Sequence, residues 1–181
     1  YIIMPSLTSP AFGRLVKALK QHKTTCTVVE SCCGGLINAS IMAQPGASAV
    51  YWGGSVAYNT KRAKPFLLND DTLHQQLTKP FAEEDTTNKN DGTSPGVESD
   101  KDRYIQSKLD WTRQTALAFC EQAGTDFAIA EGGAAGPTFR PAGLTTGFVV
   151  VAVAARMPDT NKVEVVRQQV IESETNDRQA N

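Results

Sequence analysis

The run Val28-Val29-Glu30-Ser31-Cys32-Cys33-Gly34-Gly35-Leu36-Ile37-Asn38-Ala39-Ser40 constrains the chain more than any other stretch, because an apolar strand ends in a polar turn that opens directly into a helix. Such a junction belongs to sheets whose strands are joined through helices, and it presents its side chains at the carboxyl edge of the sheet. The first N–H groups of the new helix face the same cleft and favour negative charge. Ser31 therefore sits where a nucleophile and an oxyanion hole can be built from consecutive residues.

Upstream, Ser9-Pro10 followed by Phe12, Leu15, Val16 and Leu19 at helical spacing predicts an amphipathic helix over residues 9–22. Strands are predicted over 25–29 and 50–58, the second with Gly53-Gly54 marking a bulge or a close backbone approach. Between them a small-residue helix over 34–43 is ended by Pro45-Gly46. Residues 60–68 read as a basic helix, and Asp71 caps a short helix through Leu77.

From about 79 to 102 the chain is polar and rich in Gly, Pro, Ser and acidic residues, which predicts a loop insertion. A helix over 104–122, a strand over 126–130 and a glycine-rich loop over 131–143 follow. The β-branched run 148–155 reads as a strand buried on both faces, and 163–171 alternates like an edge strand. This order predicts an α/β fold: a single three-layer α/β/α domain with a mixed sheet over residues 1–181.

The 181 residues, 40% apolar and 20% charged, suffice for one such domain. A net charge of -1 gives no global attraction for nucleic acid or anionic lipid, so the expected partner is a small molecule. No apolar run reaches the roughly 18 residues of a membrane span, and Tyr1-Ile2-Ile3-Met4-Pro5 lacks the pattern of a secretory signal. A soluble intracellular protein is expected, cytoplasmic or organellar. The start without methionine and the end in a polar segment lead to the expectation of a longer product truncated at both ends.

Cys26, Cys32, Cys33 and Cys120 form neither a disulfide framework nor a CxxC clip, and His22 and His74 are far apart in sequence. No metal, cofactor or histidine triad is expected.

Four blocks then appear in order: Glu30-Ser31-Cys32-Cys33-Gly34-Gly35, Gln44-Pro45-Gly46-Ala47-Ser48, Gly53-Gly54-Ser55-Val56-Ala57-Tyr58, and Ala135-Gly136-Pro137. Together they resemble the CinA C-terminal domain family over roughly residues 10–181, less the polar insertion. Members of that family include nicotinamide-mononucleotide deamidases, which hydrolyse the nicotinamide carboxamide to the acid and ammonia. The resemblance implies Ser31 as nucleophile, with Cys33 in place of the family's threonine. It implies Tyr58 as an assisting group and Lys64 as base, the lysine displaced by one residue from the family's Y-S-N-x-x-K spacing.

The third family block, a Gly-Ile-Ala-Gly-Pro loop, matches at Gly133, Ala135, Gly136 and Pro137 and departs at Phe139-Arg140-Pro141. Asn176-Asp177-Arg178 resembles the family's G-D-R helix start. The substrate-binding set is therefore Glu30, Cys33, Gly34, Gly35, Gly133, Gly136, Arg140 and Arg178, with the last two or the 132–136 N–H groups anchoring a nucleotide phosphate.

Without a histidine, a lysine desolvated near other cations is the natural base, and Lys61 and Arg62 are the neighbours in sequence. Backbone N–H groups of Cys33-Gly34-Gly35 would hold the oxyanion. Other readings stay open. Ser31 can be an N-cap for a helix beginning near Cys33, Glu30 can hold nearby backbone rather than ribose, and Cys33 can be a thiol nucleophile with a pKa lowered by the helix end. A non-catalytic nucleotide-binding protein, or a structural subunit of a larger complex, is the rival to the amidohydrolase. The resemblance further implies a homo-oligomer, a homodimer at this size.

Overall fold

The chain is described by a computed structural model over residues 9–59, 62–78, 97–134 and 147–172. Strand β1 (Cys26–Glu30) is buried along its whole length between β2 (Tyr51–Val56) and β3 (Phe127–Ala134), and both neighbours run parallel to it. Strands β4 (Phe148–Arg156) and β5 (Val163–Glu172) continue the sheet antiparallel, giving the order β2-β1-β3-β4-β5. The predicted mixed sheet, and the edge position of the 163–171 segment, are both borne out.

Alternation along β1 assigns the two faces. Cys26 and Val28 join Val16, Leu19 and Ile41 beneath α1 (Pro10–His22) and α2 (Leu36–Met42), whereas Val29 joins Trp111, Ala116 and Phe119 of α5 (Val97–Ala123). Val28 and Val29 are fully buried on opposite faces, so each contributes about 1.5–3 kcal/mol of transfer free energy. Alanines line the α5 face: Ala128 pairs with Ala154 and Ala130 with Ala152, leaving room for a long helix carrying large side chains. The two short helices α3 (Ala63–Leu68) and α4 (Asp71–Thr78) pack on each other and on α5. The result is the three-layer α/β/α fold.

Two boundaries differ from the sequence reading. Strand β3 continues through Glu131-Gly132-Gly133-Ala134 instead of ending at Ala130, because the glycines answer close approaches. A Cβ on Gly132 would lie 3.2 Å from the Trp111 ring, and one on Gly133 would meet the Phe148 carbonyl and sit 2.9 Å from Val149 Cα. The polar segment expected as loop to about 102 is helical from Val97, since extending a helix already docked on the sheet needs no new nucleus. Residues 79–96 lie outside the described residues.

At β2 both readings of Gly53-Gly54 hold. The register slips between Cys26 and Thr27, and Thr27 Oγ1 donates to the Gly53 carbonyl at 2.8 Å. A Cβ on Gly54 would collide with Asn38 Oδ1 and the Val28 carbonyl. Gly54→Ala is therefore expected to cost about 3 kcal/mol or more through overpacking, with the midpoint of urea unfolding as the measurement. An unchanged midpoint would refute the close approach. Among the described residues no helix is long and apolar enough to cross a membrane.

Candidate active site

The turn between β1 and α2 is built around two buried carboxylates. Glu30 ends β1 and folds back onto the start of α2, where its Oε2 accepts from Gly35 N–H at 2.8 Å and its Oε1 from Asn38 N–H and Nδ2 at 2.6 Å each. Tyr51 O–H donates to Asn38 Oδ1, extending the chain of bonds to β2. An acidic group at the first turn satisfies donors that a helix leaves open and complements its dipole. Glycine is required there, because Gly34 and Gly35 take φ of 64° and 101° in succession.

Glu131 reaches the same turn from β3. Its Oε2 accepts from Ser31 N–H at 3.0 Å and Cys33 N–H at 2.9 Å, and its Oε1 from Cys32 N–H at 3.3 Å and the Cys32 thiol. Three consecutive backbone donors thus converge on one carboxylate in an anion-holding nest.

This corrects the expected oxyanion hole at Cys33-Gly34-Gly35. Cys33 N–H is held by Glu131 and Gly35 N–H by Glu30, so of that set only Gly34 N–H has no partner among the described residues. The N-cap reading of Ser31 also fails, because α2 begins at Leu36 after Gly35. Ser31 is 7% exposed, and no hydrogen bond engages its hydroxyl among the described residues. The expected lowering of the Cys33 thiol pKa is reversed. Burial, and then the negative charge of Glu131, push it up to about 12, and the same two causes push Cys32 higher still.

Lys64, on α3, is 3% exposed, with its ammonium 3.9 Å from the centroid of the Trp111 ring. Burial first, and Lys108 second, bring its pKa down to about 7, against opposing influences from Cys32 and Glu131. Of the two cations next to it in sequence, Arg62 is exposed, and Lys61 lies outside the described residues. Lys108 is itself lowered by burial, and its ammonium stands 4.7 Å from the Tyr104 ring centroid. Cys32 acts on Lys64, Lys108 and Tyr104 alike, so these groups and the Ser31 turn share one neighbourhood.

Tyr58 follows the end of β2 and is 59% exposed, a surface position in contrast to buried Lys64. Gly133 lies in the β3–β4 pairing opposite Val149, not in a phosphate-binding loop, for the packing reason given above. Gly136, Arg140 and Arg178 lie outside the described residues. Glu30, Cys33 and Glu131 bring one potential ligand atom each within 4.8 Å of one another, among the described residues. The carboxylate oxygens accept N–H donors and, at Glu131, the Cys32 thiol, so both carboxylates are engaged as hydrogen-bonded anchors of the turn.

Sequence reasoning missed Glu131 and Lys108. Each carried a signal: a carboxylate extending an apolar strand, and a lysine four residues after Tyr104 and three before Trp111, on one helix face.

The model of the CinA C-terminal domain matches residues 10–83. A CinA-like protein of Prochlorococcus marinus (strain MIT 9313) is 31% identical over 137 residues, 75% of this chain and 25% of that protein. The chain belongs to the CinA C-terminal domain family. A CinA-like protein of Chlorobaculum tepidum is 27% identical over 158 residues, 84% of this chain and 30% of that protein. The chain thus spans less than a third of the length of either relative. Among solved structures, a competence-damaged protein (CinA) superfamily protein from Escherichia coli superposes with a TM-score of 0.67 at 19% identity, covering 97% of this chain and 83% of that chain. One from Klebsiella pneumoniae 700603 gives 0.64 at 22% identity, covering 98% and 88%. These CinA structures share the α/β fold described above.

Proposed function

We propose that this CinA-family chain hydrolyses a carboxamide, with nicotinamide mononucleotide as the substrate, Ser31 as nucleophile and Lys64 as base. The observation that carries the reading is Lys64: a buried lysine with its pKa near 7, in the electrostatic neighbourhood of the Ser31 turn, is equipped to take and return a proton at neutral pH. A solvent-facing lysine would have favoured binding alone.

In this reaction Ser31 Oγ attacks the amide carbon as its proton passes to neutral Lys64. The tetrahedral intermediate then collapses, the C–N bond breaks, and Lys64 returns the proton to the departing ammonia. Water, deprotonated by Lys64, attacks the resulting ester and releases the acid and free Ser31. Gly34 N–H and the Lys108 ammonium are the groups at hand to stabilise the oxyanion. Tyr58, at the exposed rim, is proposed to orient substrate, and a homo-oligomer is proposed for the assembly.

Because Lys64 must be neutral to act, turnover rises as pH increases through about 7. The test is ammonia release from nicotinamide mononucleotide. Ser31→Ala is expected to lower it at least about 10²-fold with little change in stability, since its hydroxyl has no bond to lose among the described residues. Equal release by both proteins would remove Ser31 from the chemistry.

A second reading, nucleotide binding without turnover, is favoured by the two carboxylates that occupy the turn's donors. Calorimetric binding of the mononucleotide with no ammonia formed would select it.

A further inference from the structure

Helix α2 presents an apolar side to water. Its buried positions are Asn38, Ser40 and Ile41, whereas Leu36, Ala39, Met42 and the C-cap Ala43 are exposed. These four stand at i, i+3, i+6 and i+7 and so share one side of the helix, and Leu36 and Met42 are each more than half exposed. The inversion has a local cause, because Asn38 is drawn inward by its bonds to Glu30 and Tyr51. A surface helix ordinarily turns charged or polar residues outward, and the exposed positions of α2 include none. Val56 extends the same apolar ground from the outer strand β2, since a Cβ on Gly35 would stand 3.5 Å from its Cγ2.

We infer that the outer face of α2 docks on the same face of a second copy of this chain, the two helices crossing antiparallel about a two-fold axis at Ala39. The inference rests on the homo-oligomer proposed above and names its surface. Charge selects the occupant. From Ser31 through Thr60 the sequence has no Asp, Glu, Lys, Arg or His, although 20% of the whole chain is charged. A partner recognised by charge finds nothing to hold on this face, and a second copy brings a face equally free of it. A two-fold contact sets a patch against itself, so the Leu36 end of each helix meets the Met42 end of the other, and the small Ala39 lets the backbones approach. Lys20 of α1 lies beside Gly46 beyond the last turn, a charged border of the kind that rims apolar interfaces.

Sedimentation velocity tests the face. The parent chain is expected to be a dimer at micromolar concentration. Ala39→Glu sets two carboxylates against each other at the axis and is expected to raise the dissociation constant at least about tenfold, with the circular dichroism of the parent retained. Ala39→Lys acts alike, and an equimolar mixture of the two variants recovers the dimer because opposite charges then face each other. Met42→Glu replaces Ala39→Glu should that variant fail to fold. Val166→Glu, at an exposed apolar position on β5, leaves the dimer intact. A dimer that survives Ala39→Glu, or that is lost in Val166→Glu alone, would put the contact elsewhere and overturn the inference while the homo-oligomer stands. A mixture that stays monomeric would refute the crossing at Ala39. A parent that is monomeric throughout, whether or not it binds neutral lipid vesicles, would remove both the homo-oligomer and this surface for it.

Discussion

At pH 7, Lys64→Met is expected to unfold at a higher temperature than the parent chain while losing ammonia release at least about 10²-fold. The two effects share one cause. An ammonium with its pKa brought to about 7 by burial is a strained choice, since a free lysine titrates near 10.4. The difference corresponds to a penalty on the order of 4 kcal/mol at pH 7, of which the contact with Trp111 offsets about 2. Methionine fills the same slot without a charge and makes its own sulfur contact with the ring.

The sign with pH follows from linkage. Below about pH 7 folded and unfolded chains both hold the proton and the full penalty applies. Between about 7 and 10.4 the folded chain has released it while the unfolded chain keeps it, so stability rises with pH across that window. In Lys64→Met this rise should vanish. Thermal unfolding followed from pH 6 to 10 measures both, and a methionine variant that melts lower than the parent at pH 7 would refute the account.

Glu131→Ala is expected to lower the melting temperature by about 10 °C or more. The carboxylate is fully buried and accepts from three backbone N–H groups and one thiol. Bonds to a charged acceptor contribute about 1.5–3 kcal/mol each, and the donors left behind in alanine have no water to turn to. A loss of about 4 kcal/mol or more translates to that temperature change at roughly 2–4 °C per kcal/mol in a chain of this size. Glu131→Gln should fall between, since one oxygen still accepts while its amide N–H₂ faces the turn's own donors. Differential scanning calorimetry of the three proteins checks the order. An alanine variant melting within about 2 °C of the parent would mean the nest is held by something else.

Much of the fold was legible because periodicity reports burial. Val28 and Val29 point to opposite faces, and 163–171 is an edge, as alternation predicts. The continuous 148–155 run forms an interior strand, but one of its faces is only half-buried, not buried on both as the run suggested. The ends of elements were less legible. Gly132 and Gly133 look like turn residues locally, and only the approach of Trp111 and the Phe148 backbone explains their place in a strand.

The same holds for the site. Ser31, Glu30 and Lys64 stand out by motif or by family resemblance, but the partners that decide their chemistry are distant in sequence. Nothing near Ser31 announces Glu131, and the cation that acts on Lys64 among the described residues, Lys108, is 44 residues away in sequence. That neighbour becomes visible only once α5 lies across the sheet.

The bond from Ser31 N–H to Glu131 spans 100 residues of chain. During synthesis the Ser31 turn therefore emerges long before the strand that fixes it. The first strands and helices can form early, yet three donors of that turn must stay hydrated until β3 docks parallel to β1. The geometry around Ser31 is thus completed late, by a closure of high sequence separation, so a stalled or shortened chain would carry the motif without the geometry.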